Sequence, residues 1–356
     1  MSEIKVNSIK GVGASTAAIS VDNSNGTCTA NIINNLSNRR VNKNGSFLIS
    51  QKNGDTEVTL GSSGDRWIDL IHIFLHNSAT FKAQRVSDAP TGFQYSAKHT
   101  VHSADSSVSN TDEAMFIHRV EGFDTAKFAY GTSSAKQITV SFYVKSSLTG
   151  DFSFAAQTGG RNYVNEYTIN SANTWERKSF TLPVLTDGTH NTTNGTGLSF
   201  IWDLGSGDTY ATSTLGSWVT ASNLYRSTGS TRLSINANAT WQITGIQVEE
   251  GTVMTDFEHF PVGHELALCQ RYFETGNGLL LAAYAGGNFG GGLTLNEFAV
   301  TKRAIPTITL TQLSGQGGSN ADQLNTNTTY NVGVHWGGSA GQGNFRAFTF
   351  TANAEL

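Results

Sequence analysis

Residues 138–145 read Ile-Thr-Val-Ser-Phe-Tyr-Val-Lys, and large apolar side chains occupy every second position of the first seven. A period of two is typical of a β-strand with one buried and one solvated face. The pattern recurs over residues 198–204 and 241–248, where its register shifts at Gly245 and predicts a β-bulge. Phe152 and Phe154 follow the turn at 148–151, and we predict that they form a hairpin with 138–145.

The composition agrees with a chain made of short strands. Hydrophobic residues make up 38% and charged residues 14%, and the 38 glycines stand among many Ser, Thr and Asn residues. Turns between strands need this mixture, whereas helices need more Leu, Glu, Lys and Ala. We therefore expect an all-β fold with a β-sandwich, in which Trp202 and Trp241 belong to the core.

At 356 residues the chain exceeds the usual size of one domain. Residues 1–40 are small and polar and predict an extended arm that gains order only against a partner. The alternating pattern assigns 41–262 to a sandwich and 274–356 to a smaller β-domain. Between them, the helical spacing of Leu266, Cys269 and Phe273 assigns 263–273 to a short helical linker.

Charge and cysteine content exclude several classes of protein. A net charge of −4 gives no general attraction to phosphate, so nucleic-acid binding is not expected. Cys28 and Cys269 are far apart in sequence and are expected to be free thiols. The start of the chain lacks a secretion signal, and the longest apolar run, 279–285, is too short for membrane insertion.

Several ordered segments carry a resemblance to a known family. The most specific is Trp-Gln-Ile-Thr-Gly-Ile-Gln-Val-Glu-Glu-Gly at 241–251, followed by Thr-Asp-Phe-Glu-His at 255–259. With segments 44–51, 64–67, 141–150, 197–200, 214–218 and 265–273, it resembles tail or head fibre proteins of marine bacteriophages of the cyanophage and pelagiphage type. The resemblance implies a jelly roll similar to carbohydrate-binding modules, in an oligomeric protein carried on the virion.

The resemblance supplies no ligand. Our leading hypothesis for the function is adsorption to host surface glycans, without enzymatic activity. Residues 1–40 would bind other virion proteins, and residues 274–356 would form the outer end of a homotrimer made in the host cytoplasm. Two alternatives remain open: a capsid-decoration or tail-assembly subunit without ligand recognition, and a glycan-degrading tailspike. The tailspike would need a pair of catalytic carboxylates, and no pair stands out in the sequence.

Aromatic residues beside polar ones are the candidate sugar contacts, because sugars stack on exposed rings while neighbouring side chains bond their hydroxyls. The first group is Tyr163 and Tyr167 with Arg161, and the second is Tyr210 and Trp218 with Asp208. Trp218 could equally pack in the core.

No cofactor is expected beyond a structural ion. Jelly rolls of the resembling kind often hold a calcium between loops, for which Asp65, Asp256 and Glu258 could supply oxygen ligands. His264-Glu265 resembles the start of a zinc-protease helix, but position 268 is Leu268 where a second His is required.

Overall fold

Antiparallel sheets dominate the computed structural model. It describes residues 7–10, 12, 15, 18–21, 24, 28–30, 37–61, 66–221, 223–282, 290–315, 323–338 and 344–356. Two short helices, α1 (Gly122–Thr125) and α2 (Val262–Gln270), and two 3₁₀ turns, Ala126–Phe128 and Asp208–Tyr210, interrupt the strands. The fold is all-β, as predicted.

The strands fall into three groups along the chain. The first three pair as a small N-terminal sheet: β1 (Ser8–Ile9), β2 (Ile19–Val21) and β3 (Cys28–Ala30). The next fourteen belong to the central part: β4 (Val58–Leu60), β5 (Ile71–His76), β6 (Thr80–Val86), β7 (Ser96–Ser103), β8 (Glu113–Glu121), β9 (Ile138–Ser146), β10 (Gly150–Thr158), β11 (Arg161–Ile169), β12 (Glu176–Leu182), β13 (Thr196–Asp203), β14 (Ala211–Thr212), β15 (Trp218–Thr220), β16 (Arg226–Ser227) and β17 (Thr240–Glu250).

The last group follows α2: β18 (Phe273–Ala282), β19 (Gly290–Glu297), β20 (Thr307–Gly315), β21 (Gln323–Asn327), β22 (Asn331–Gly338) and β23 (Asn344–Asn353). These strands pair as two three-stranded sheets, in the orders β18-β23-β20 and β19-β22-β21. Val332, Val334, Phe348 and Phe350 are buried in one cluster, whereas Tyr330 is 58% exposed.

The central part is a sandwich of two six-stranded sheets. One sheet has the order β15-β11-β10-β13-β8-β5, and the other, which we call the second sheet, has the order β12-β9-β17-β7-β6-β4. Trp202 and Trp241 are fully buried between them, as predicted, and both contact Phe116. Alternation therefore identified the inner faces correctly.

The predicted hairpin between 138–145 and 152–154 is wrong. Strand β9 pairs with β12 and β17, whereas β10 pairs with β11 and β13 in the opposite sheet. The turn carries the chain across the sandwich, and Phe142 stacks on Phe154 in the core with ring centroids 6.1 Å apart. Two consecutive strands with apolar inner faces can lie in opposite sheets as well as form a hairpin. Alternation shows which face of a strand is buried but not which strand it pairs with.

The predicted bulge at Gly245 is confirmed. The register between β17 and β9 shifts between Thr244 and Gln247, and Gly245 has a φ of +64°. Such a left-handed backbone is accessible to glycine at little cost. Residues 41–45 lie beside this bulge, where the Val41 amide donates to the Val248 carbonyl and the Ile246 amide donates to the Gly45 carbonyl.

Helix α2 occupies most of the segment predicted as a helical linker. Within the described part of the chain, no helix is long and apolar enough to cross a membrane. Cys269 on α2 is a free thiol, as predicted, and its burial raises its pKa. The side chain of Cys28 lies outside the described ones.

Candidate functional site

The two tyrosines predicted to contact sugar are instead part of the core. Tyr163 and Tyr167 are 2% and 4% exposed, because alternate positions of β11 face the opposite sheet. The indole Nε1 of Trp241 donates to the Tyr167 hydroxyl over 3.1 Å. Their rings therefore offer no face to a ligand, and the prediction for these two residues is wrong.

The remaining predicted contacts are divided between two places. Arg161 forms an ion pair with Asp187 at 2.7 Å, near the half-buried Trp218, whose Nε1 donates to the Pro183 carbonyl. On the outer face of the same sheet, Tyr210 stacks on Tyr225 with centroids 4.8 Å apart.

Asp208 is also engaged within the protein, since it accepts hydrogen bonds from Arg226 and Arg232. Trp218 packs against Tyr130 and Tyr163. The six predicted residues therefore do not share one surface, and most of their polar groups are used within the fold.

Of the proposed calcium ligands, Glu258 is already engaged within the protein. Both oxygens of Glu258 accept backbone hydrogen bonds, from the amides of Asn38, Arg39 and Arg40. Asp256 is exposed, and Asp65 lies outside the described residues. Among the described residues, no group of three His, Cys, Asp or Glu side chains could hold a metal ion.

A cluster of half-exposed rings lies on the outer face of the second sheet. Phe93 is its centre, with ring centroids 5.3 Å from Tyr143, 5.0 Å from Phe257 and 5.1 Å from His259. The bulge permits this arrangement, because a Cβ on Gly245 would lie 2.7 Å from Cζ of Phe93. Burial and the nearby Arg40 guanidinium lower the pKa of His259, so its ring is neutral at neutral pH.

The cluster continues through a buried arginine to two further rings. The guanidinium carbon of Arg40 lies 5.1 Å from the ring centroid of Phe257 and 4.2 Å from that of Phe260. His264 stacks on Phe260 with centroids 4.8 Å apart. The six rings form what we call the aromatic track: Tyr143, Phe93, Phe257, His259, Phe260 and His264.

The track ends in a concave site between the segment that precedes β4, the α1 region and helix α2. One cavity of about 340 Å³ has mixed walls, with apolar side chains beside amides and charged groups. Its lining residues are Asn38, Arg40, Val41, Asn42, Lys43, Phe123, Asp124, Lys127, Phe260, His264 and Leu268. Phe123 is 59% exposed on its wall.

A second cavity of about 400 Å³ shares Asn38 and Lys127 with the first. Arg39, Glu250 and Gly251 complete its lining. We call the two cavities together the cleft. A concave site with apolar walls and a few polar groups is the usual form of a small-molecule site.

The sequence predictions missed this site because its rings come mainly from loops. Phe93 precedes β7, and Phe257, His259 and Phe260 follow β17, so strand alternation does not mark them. One signal was present: residues 255–260 read Thr-Asp-Phe-Glu-His-Phe, with three rings in four positions. Aromatic residues that follow one another in a loop indicate a surface cluster more directly than tyrosines that lie within a β-strand.

Comparisons with known proteins identify no family. No protein-family model matches the sequence, and no curated protein matches it. One similar solved structure is a family 11 carbohydrate-binding module from Clostridium thermocellum in complex with a β-1,3-1,4-mixed-linked tetrasaccharide. It is 10% identical, with a TM-score of 0.27, and the match covers 57% of this chain and 98% of that one.

Two further structures are similar at the same low level. TmCBM61 in complex with β-1,4-galactotriose is 12% identical, with a TM-score of 0.28, and the match covers 60% of this chain and 99% of that one. Discoidin II of Dictyostelium discoideum is 8% identical, with a TM-score of 0.19 and coverages of 75% and 85%. Similarity this low transfers no ligand or function to this chain.

Proposed function

We propose that this chain is a non-enzymatic virion protein that adsorbs to glycans on a host surface. The observation that carries the proposal is the aromatic track, whose two groups of partly exposed rings meet over the buried Arg40 and end at the cleft. Sugar rings stack their C–H faces on aromatic side chains, while nearby polar groups bond the hydroxyls. Asn38, Lys127 and His264 supply such polar groups where the track meets the cleft.

The shape of the site suits a protein of which each copy binds a glycan weakly and many copies bind at once. It is open to solvent along the track and becomes concave only at the cleft, so each copy would bind a glycan with modest affinity. A homotrimer on a particle would multiply that affinity through simultaneous attachment. In this proposal residues 1–40 bind virion proteins, and residues 274–356 lie at the outer end.

The acids of the cleft favour binding over hydrolysis. A glycosidase needs one carboxylic acid that stays protonated and a second carboxylate across the scissile bond. Asp124 is ion-paired with Lys43, and Glu250 with Lys136 at 2.9 Å. Both acids that line the cleft are therefore already engaged by a lysine in this structure.

Binding of the purified chain to host cells and to extracted surface polysaccharide tests the proposal. Phe93→Ala and Phe257→Ala remove rings from the track and should reduce binding at least about tenfold, as expected for loss of a stacking face. Tyr330→Ala is the matched control, because this ring is exposed on the C-terminal β-domain. Equal binding by all four proteins, with unchanged thermal unfolding, would contradict the proposed site.

A further inference from the structure

The two cavities of the cleft meet at two polar side chains. Asn38 and Lys127 line both cavities, and both side chains are exposed. The Lys127 ammonium lies 5.9 Å from the ring centroid of Phe128, which supports it from one side. Any ligand that spans both cavities passes these two groups.

Every acid on the walls of the cleft already has a cationic partner. Asp124 is paired with Lys43, and Glu250 with Lys136. The two arginines of the lining are also neutralised, Arg40 by Glu265 and Arg39 by Glu249 at 2.9 Å.

Lys127 is the exception. Within the described part of the chain, no carboxylate lies within 4.0 Å of its ammonium group. Of the lysines and arginines that line the cleft, Lys127 is therefore the one without an ion-pair partner among the described residues, although the whole chain carries a net charge of −4. This charge stands beside the exposed ring of Phe123 and the end of the aromatic track.

From this arrangement, and resting on the proposed function, we propose that the cleft selects acidic glycans. A carboxylate or sulfate on a sugar ring would pair with Lys127 while the ring lies against the apolar wall. A charge-assisted hydrogen bond to an ammonium is stronger than a neutral one. Asn38 would bond a neighbouring hydroxyl from the same side.

The experiment compares matched polysaccharides. Alginate and a sulfated galactan are presented beside their own neutral forms, made by carboxyl reduction and by desulfation, and binding of the full chain is measured by biolayer interferometry. Lys127→Gln removes the charge and keeps the length of the side chain. Lys82→Gln is the control, because Lys82 on β6 pairs with Glu57 away from the cleft.

The expected result is binding of at least one acidic polymer about tenfold tighter than its neutral form, equivalent to one charge-assisted contact. This preference should disappear in Lys127→Gln, persist in Lys82→Gln and weaken as salt rises. Equal binding of acidic and neutral forms, or an unchanged preference in Lys127→Gln, overturns the inference and leaves glycan binding intact. Failure to bind any polymer or host cell overturns the proposed function as well.

Discussion

Arg40 and Glu265 form an ion pair in which both side chains are buried, at 0% and 1% exposure. Arg40 belongs to the segment that precedes β4, and Glu265 to helix α2. The guanidinium also lies against the rings of Phe257 and Phe260, so one buried pair links the aromatic track to the cleft.

Removing one partner of this pair should destabilise the protein strongly. Glu265→Gln leaves the Arg40 charge buried without its counter-ion, and we expect a loss of about 3 to 5 kcal/mol in the free energy of unfolding. Denaturant unfolding measures it. Glu250→Gln is the control, since the Glu250–Lys136 pair is about half exposed and should contribute below about 1 kcal/mol. Equal losses in the two variants would argue against a structural role for the buried pair.

The bulge in β17 yields a second prediction. Gly245→Ala places a methyl group 2.7 Å from Phe93 at a φ of +64°, so both the backbone and the aromatic track must shift. We expect a loss of about 2 to 4 kcal/mol, from left-handed strain together with overpacking, and weaker glycan binding.

Gly54→Ala separates the two causes. Gly54 has a φ of +56°, but no atom lies within 4 Å of an added Cβ. Its cost should be backbone strain alone, about 1 kcal/mol, with glycan binding unchanged. If Gly54→Ala costs as much as Gly245→Ala, the contact with Phe93 is not the reason.

Buried histidines predict instability in acid. Burial lowers the pKa of His99 and of His118 from 6.5 to about 3, and in the described structure neither ring has a hydrogen-bond partner. As the pH falls, the unfolded chain binds these protons at a higher pH than the folded chain does. The free energy of unfolding is therefore unaffected by these two histidines above pH 6.5, and it decreases as the pH falls toward 3. Each histidine should contribute a slope of up to about 1.4 kcal/mol per pH unit in that window.

His99→Phe tests the slope, because Phe fits among Trp67, Phe116 and Trp241 without taking up a proton. Unfolding free energies between pH 4 and pH 7 should show a shallower decline than in the parent chain. His102 is exposed, and His102→Gln should leave the decline of the unfolding free energy with falling pH unchanged. An identical pH dependence in all three proteins would exclude His99 as a source of the acid sensitivity.

Glu355 gives a prediction about how the last strands dock onto the sandwich. Its carboxylate pairs with Lys52 and accepts a hydrogen bond of 2.8 Å from the Leu70 amide. Burial lowers the pKa of Lys52, and the Glu355 charge opposes that effect. Glu355→Ala should therefore cost about 2 to 4 kcal/mol, because it leaves a buried ammonium and an amide unpaired.

The effect of Glu355→Ala would be measured by thermal unfolding and by the rate at which a protease cleaves the strands that follow α2. Arg161→Ala provides the comparison, since Asp187, its partner in the ion pair, is 63% exposed and the pair should matter little. Equal cleavage rates in both variants would mean that Glu355 does not hold this contact.

Sequence alone predicted the parts of the fold that depend on local pattern. Alternation in 138–145 and 241–248 identified the buried sides of two neighbouring strands of the second sheet, and Gly245 marked the bulge. The pairing of β9 with β12 and β17 could not be predicted, because any inward apolar strand meets the same core.

For the same physical reason, most residues of the candidate site could not be predicted from the sequence. Tyr163 and Tyr167 stand among Asn and Arg in sequence, yet they face inward because β11 alternates. Most of the rings of the aromatic track come from loops, where neither period nor polarity predicts exposure. Only the folded chain brings Phe93 beside Phe257, across more than one hundred and sixty residues of sequence.

The Glu258 carboxylate accepts hydrogen bonds from three successive backbone amides, at residues 38–40, and these bonds have a mechanical consequence. These residues are the last three of the predicted N-terminal arm, and they also line the cleft. If the N-terminal arm is the tether to a particle, tension on that tether is delivered to the ligand pocket itself. The strength of attachment would then depend on the pulling load, a property that single-molecule force measurements can read directly.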